Sequence, residues 1–197
     1  MVVGTTSSAL PGPDGARSAY PARLEAALAK RLPGVAVKVV SAVKPRQTTA
    51  DMAETFERLA MDAKPNLVIW QTGTFDAMRG TDADEFRARL EEGIDMLQSK
   101  GSDIILMNMQ YSPRTESTIA LGVYAENMRW VALQHDLPLF DRLAVMKHWS
   151  EMGTFDLYSA TRNLDTAAKV HNCIAQLLAE LVVDAVKLAP ADSKDTR

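Results

Sequence analysis

Four hydroxyl side chains stand in a row where the first apolar segment of this chain ends: Met1-Val2-Val3-Gly4 runs straight into Thr5-Thr6-Ser7-Ser8. A hydroxyl on a loop that follows a strand becomes a nucleophile when an adjacent base takes its proton and preorganised donors hold the oxyanion it creates. The base is the scarce part. The histidines His135, His148 and His171 are scattered, and none has a second ligand or partner at helical spacing. His135 closes a helical segment, where a cation suits the dipole. His171 sits among apolar helical neighbours six positions after Asp165, where a lone imidazole is packed more often than it is catalytic. Arginines are better placed. Loops that would end strands carry Arg46, Arg114 and Arg142, and Arg162 precedes the last helix. Singly each reads as a solvated charge, but Arg46, Arg114 and Arg162 at one sheet edge would seat a carboxylate, a phosphate or an acidic sugar.

Other chemistries are excluded by what is missing. Neither G-x-G-x-x-G nor G-x-x-x-x-G-K-[ST] follows the first strand, which argues against nucleotide binding, and no G-x-S-x-G elbow is present. The scattered histidines give no metal set, and no cofactor is implied. A formal net charge of −3 without a basic run argues against nucleic acid. No apolar stretch is long enough to span a bilayer. The single Cys173 excludes an intramolecular disulfide and reads as a packed thiol. Residues 1–10 lack the pattern of an export signal, so the chain as written reads as cytoplasmic, or as periplasmic or secreted if a leader has been cleaved. The partner expected is a small molecule or another protein, with the oligomeric state left open.

Elements must position these groups. With 197 residues, 47% of them hydrophobic and 24% charged, the chain is expected to fold as one domain over 1–188, followed by a disordered tail over 189–197. Apolar runs alternate with helical patterns, which predicts a parallel sheet covered by helices on both faces. The expected strands are Met1–Val3, Ala36–Val40, Leu67–Gln71, Ile104–Met109 and Leu139–Phe140, with helices over 18–31, 48–61, 83–99, 116–135, 141–150 and 166–188. In the third helix Phe86, Leu90, Ile94 and Leu97 share one face. In such a sheet ligands bind beyond the carboxyl ends of the strands. The candidate loops there are Gly4–Ser8, Ser41–Gln47, Gln71–Asp76, Gln110–Arg114 and Asp141–Arg142. Phe75 sits beyond its strand end, and Tyr111 is the better candidate for an aromatic platform.

The segments V-V-G-T-T-S-S-A, S-A-V-K-P-R-Q-T-T-A-D-M and P-N-L-V-I-W-Q-T-G-T-F-D-A-M-R-G, in that order, resemble blocks one to three of the SGNH/GDSL hydrolases. The stretch R-N-L-D-T-A-A-K-V-H-N-C-I-A-Q-L-L-A-E-L is similar to the final block, so the resemblance covers nearly the whole chain. It implies a flavodoxin-like three-layer α/β/α sandwich with a five-stranded parallel sheet, and ester hydrolysis by a serine, a histidine and an oxyanion hole. Each of those positions is altered here. Thr6 stands at the serine, Arg46 at the glycine and Phe75 at the asparagine of Gly73-Thr74-Phe75-Asp76; Arg162 and Asp165 stand at the aspartate and histidine. Phenylalanine donates no hydrogen bond, and losing one oxyanion donor typically costs about 10²–10³ in rate. The expectation is a catalytically degenerate esterase homologue whose cleft binds a small, anionic ligand or a partner through Arg46, Phe75, Asp76, Tyr111 and Arg162. The alternative is a weak ester or acyl hydrolase using Thr6 or Ser7.

Overall fold

A computed structural model describes residues 1–158 and 164–188. In chain order its elements are β1 (Val2–Gly4), a 3-10 turn (Thr6–Ser8), α1 (Gly15–Ser18), α2 (Tyr20–Arg31), β2 (Ser41–Val43), α3 (Thr49–Ala53), α4 (Phe56–Ala63) and β3 (Leu67–Gln71). There follow α5 (Thr74–Arg79), α6 (Ala83–Ser99), β4 (Asp103–Met107), α7 (Pro113–Thr118), α8 (Leu121–Gln134), β5 (Leu139–Phe140), α9 (Arg142–Glu151) and α10 (Leu164–Leu188). The five strands form one sheet in the order β2-β1-β3-β4-β5, and every pairing is parallel.

The near-continuous apolar runs of β3 and β4 are explained by cover on both faces. Val3, Val68, Trp70, Ile104 and Leu106 face a core closed by Phe56 of α4, Leu90 and Ile94 of α6, and Met128 and Val131 of α8. Val2, Ile69, Ile105 and Met107 face the other core, which Leu24 of α2 and Ile174 and Leu178 of α10 close. Successive strand residues point to opposite faces, so Val68-Ile69-Trp70 feeds both cores from three consecutive positions. The α6 stripe of Phe86, Leu90, Ile94 and Leu97 is buried as the periodicity predicts, and the Asp82 side chain caps that helix by accepting from the Asp84 and Glu85 amides.

Several elements differ from the sequence expectation. The second strand lies at Ser41–Val43 rather than Ala36–Val40. It is one of the two edge strands, three residues long and half-buried or exposed, so it carries no buried-strand pattern. The apolar side chains that suggested a strand, Val37 and Val39, pack from an irregular segment against the core of α2 and α10. The helix expected over 48–61 is two helices, begun by a reciprocal cap between Thr48 and Asp51. The one expected over 116–135 breaks at Ile119–Ala120 into α7 and α8, and α5 was not anticipated. Among the described residues no helix is long and apolar enough to cross a membrane.

Candidate functional site

At the end of β1 the chain turns over a glycine because nothing larger fits. A Cβ on Gly4 would stand 2.4 Å from Ser8 Oγ and 3.2 Å from Gln71 Oε1. That closeness lets Gln71, the last residue of β3, organise the hydroxyl loop. Its Oε1 accepts from the Thr5 amide at 3.2 Å, from Ser7 Oγ at 3.2 Å and from Ser8 Oγ at 2.9 Å. Ser8 is buried and also lies 2.9 Å from the Tyr20 hydroxyl. It is thus tied down, while Ser7 is half-buried and Thr6 exposed.

Beyond the carboxyl ends of the strands lies a cavity of about 810 Å³, within the size range of small-molecule sites. Thr5, Thr6 and Ser7 line one side, with Arg46 and Phe75 beside them. Gln110, Tyr111 and Arg114 line it from the loop after β4 and from α7, Arg142 from α9, and Val170 and His171 from α10. No carboxylate is among the described residues that line it. Nor do the described residues hold a cluster of three or more His, Cys, Asp or Glu suited to a metal ion.

The expected site residues divide. Thr6, Arg46, Phe75 and Tyr111 all line the cavity. Arg46 is exposed and has φ +62°, a left-handed conformation at the position where the resemblance puts a glycine. Phe75 is half-buried, with the Arg79 guanidinium 5.0 Å from its ring centre. Tyr111 donates from its hydroxyl to Glu116 at 2.9 Å. Asp76 is 1% exposed and does not line the cavity. Its carboxylate accepts from the Thr49 amide at 3.0 and 3.1 Å and from the Thr49 hydroxyl at 3.0 Å, tying the start of α3 to α5. Burial pushes its pKa up against these bonds. Asp165 is exposed in the first turn of α10 and is not part of the cavity wall. Arg162 lies outside the described residues.

Two residues matter more here than their sequence setting suggests. Arg142, the first residue of α9, is 0% exposed. Its Nη2 donates to the Ser7 carbonyl at 3.1 Å and reaches Gln110 Oε1 at 3.4 Å; Nη1 reaches Ser7 Oγ at 3.4 Å; and Nε has no partner among the described residues. Burial pushes its pKa down to about 10, which leaves it charged at neutral pH. The acid beside it in sequence, Asp141, is engaged elsewhere: it accepts from Asn108, Arg129 and the Ala144 amide. His171, buried on α10, accepts the Tyr20 amide at Nδ1 over 3.0 Å. Burial, then the charges of Arg142 and Arg23, push its pKa down to about 3. The imidazole is therefore neutral and carries its proton on Nε2. Sequence could locate Arg142 at a strand end and His171 among apolar neighbours on a helix, but had no signal for the burial of Arg142 or for the bond from the Tyr20 amide to His171.

Comparison with known proteins fits this geometry. No curated protein matches the sequence. Solved structures do. An acetylxylan esterase from Geobacillus stearothermophilus superposes with a TM-score of 0.73 at 19% identity, covering 92% of each chain. A lipase/acylhydrolase from Enterococcus faecalis gives 0.68 at 22% identity over 94% of each. TesA gives 0.60 at 25% identity, covering 70% of this chain and 74% of that one. The sheet order and its helical layers are those of SGNH-type hydrolases. With the non-GDSL lipase-like family model matching residues 1–188, the chain belongs to that family.

Proposed function

We propose that the cleft binds a small organic anion and that ester hydrolysis has been lost from it. The observation that carries this reading is the charge of the wall: Arg46, Arg114 and Arg142 line it, and no carboxylate among the described residues does. Clefts lined by one sign of charge concentrate ligands of the other.

The loss of hydrolysis rests on the proton. A serine or threonine hydroxyl needs an acceptor for its proton, and His171 is the one histidine among the described lining residues. Its acceptor nitrogen is committed to the Tyr20 amide, so the nitrogen that remains is a donor. Phe75 adds no oxyanion donor in place of the asparagine. A second reading, a weak acyl hydrolase acting through Thr6 or Ser7, draws on one observation: Ser7 Oγ lies 3.4 Å from a nitrogen of Arg142, a cation that would favour an alkoxide.

A fluorophosphonate probe followed by peptide mass spectrometry separates the two. The binding reading expects Thr6 and Ser7 to remain unlabelled and a panel of carboxylates and phosphates to raise the melting temperature. Labelling of either hydroxyl, or a panel without effect on melting, overturns it.

A further inference from the structure

We infer that Arg142 is the seat of the bound anion and that the ligand is an amphiphilic monocarboxylate, its head group on the guanidinium and its alkyl chain along the apolar wall. This rests on the reading of the cleft as an anion site and narrows it to one residue and one ligand class. Fully buried arginines are almost always paired with an acid. Arg142 is 0% exposed and makes no ion pair with a described residue: its contacts among them are the Ser7 carbonyl, two long contacts of 3.4 Å to neutral oxygens and the Tyr20 ring at 5.8 Å. A guanidinium has five N–H donors, and here Nε donates to none of the described residues.

The unpaired groups cluster. Of the described buried side-chain polar atoms that lack a hydrogen-bond partner, Thr5 Oγ1, Thr74 Oγ1 and Arg142 Nε all belong to residues that line the cavity, and the fourth, Gln71 Nε2, belongs to the glutamine that holds the hydroxyl loop. Buried polar groups are ordinarily satisfied, so the floor is short of an acceptor that the described residues do not supply. A carboxylate supplies one, and its single charge matches the single buried cation among the described residues. The rest of the wall sets the tail. Leu10, Met78, Ile119, Met146, Leu157 and Val170 line the same cavity, and Met146 follows Arg142 by one helical turn. The exposed Arg46 and Arg114 stand where they would draw the anion in rather than hold it.

The test titrates the full chain with octanoate, octanol and inorganic phosphate, following heat of binding and melting temperature. Octanoate is expected to bind, with octanol and phosphate each at least about tenfold weaker, one lacking the charge and the other the tail. Arg142→Met should weaken octanoate at least about 30-fold and raise the melting temperature of the unliganded chain, because it removes a buried charge that lacks a counter-ion. Arg58→Ala, which removes an exposed arginine of α4 that does not line the cavity, should change octanoate affinity by less than about twofold. Independently of any variant, carbon-13 resonances of carboxyl-labelled octanoate should show the bound acid ionised to lower pH than the free acid. Undiminished binding to Arg142→Met or a less stable unliganded Arg142→Met overturns the assignment to Arg142 and leaves the anion reading standing, whereas octanol binding as tightly as octanoate, or a bound carboxyl that titrates above the free one, overturns both. Failure of both octanoate and phosphate to bind the unaltered chain removes both.

Discussion

The backbone amide of Tyr20, at the first position of α2, donates to Nδ1 of His171 on α10 at 3.0 Å across 151 positions of sequence. One bond thus fixes the tautomer of an imidazole in the cavity wall, supplies a partner for one of the amides that a helix start leaves without one, and joins the two helices that close one face of the sheet.

That imidazole makes the protein sensitive to acid. His171 titrates at about 3 in the fold and near 6.5 unfolded. Between those values the unfolded chain holds more protons, so stability falls as pH drops from about 6.5, by up to about 1.4 kcal/mol per pH unit. His171→Asn keeps an acceptor within reach of the Tyr20 amide and does not titrate. Urea unfolding from pH 7 to pH 4 should show a shallower decline for the variant, and parallel declines would show that the imidazole is not held neutral.

Gln71 organises the hydroxyl loop, so its removal should loosen the floor of the cavity. Gln71→Leu leaves the buried Thr5 amide without its acceptor, and one such orphan costs about 1–3 kcal/mol. Chemical denaturation should show that loss, and amide exchange at Thr5 should accelerate while exchange in α6 at a matched stability margin does not. Unchanged protection at Thr5 would contradict the role given to Gln71.

Arg46 holds a left-handed backbone at φ +62° with its side chain exposed. That conformation costs a residue with a Cβ about 1–2 kcal/mol, against about 0.5–1 kcal/mol of extra chain entropy for glycine. Arg46→Gly should therefore raise stability slightly, by up to about 1 kcal/mol. A clear loss would show that the guanidinium makes compensating contacts.

Asp76 offers a pair of variants that separates hydrogen bonding from charge. Asp76→Asn keeps an oxygen for the Thr49 amide and should stay within about 1 kcal/mol of the parent, whereas Asp76→Ala leaves that buried amide unpaired and should cost about 1–3 kcal/mol. Equal losses from both would mean that the negative charge itself, not its geometry, holds α3 to α5.

How much of this was legible in the sequence depended on whether a residue's partners were local. The α6 stripe and its bounds follow from a periodicity contained within the helix, and Leu67–Gln71 reads as a buried strand because both of its faces are covered. The edge strand β2 was misplaced because half-exposed residues carry no pattern, while Val37 and Val39 pack from outside the sheet. Thr6, Arg46, Phe75 and Tyr111 reach one cavity because parallel strands deliver their following loops to one edge. Asp76 reads as a loop carboxylate until Thr49 is seen against it. Arg142 offers no local sign of burial, since what encloses it comes from Ser7, Tyr20 and Gln110, each more than thirty positions away.

The cavity draws one wall from Thr5–Ser7 and another from Val170 and His171. During synthesis, which proceeds from the N-terminal end, the hydroxyl loop and its sheet are made long before α10 leaves the ribosome. Until then the site is open on that side, and the apolar face of α2 that α10 covers is exposed to solvent and to chaperones. A ligand bound between these walls as proposed would therefore bind only after α10 has docked, and would favour molecules in which it has.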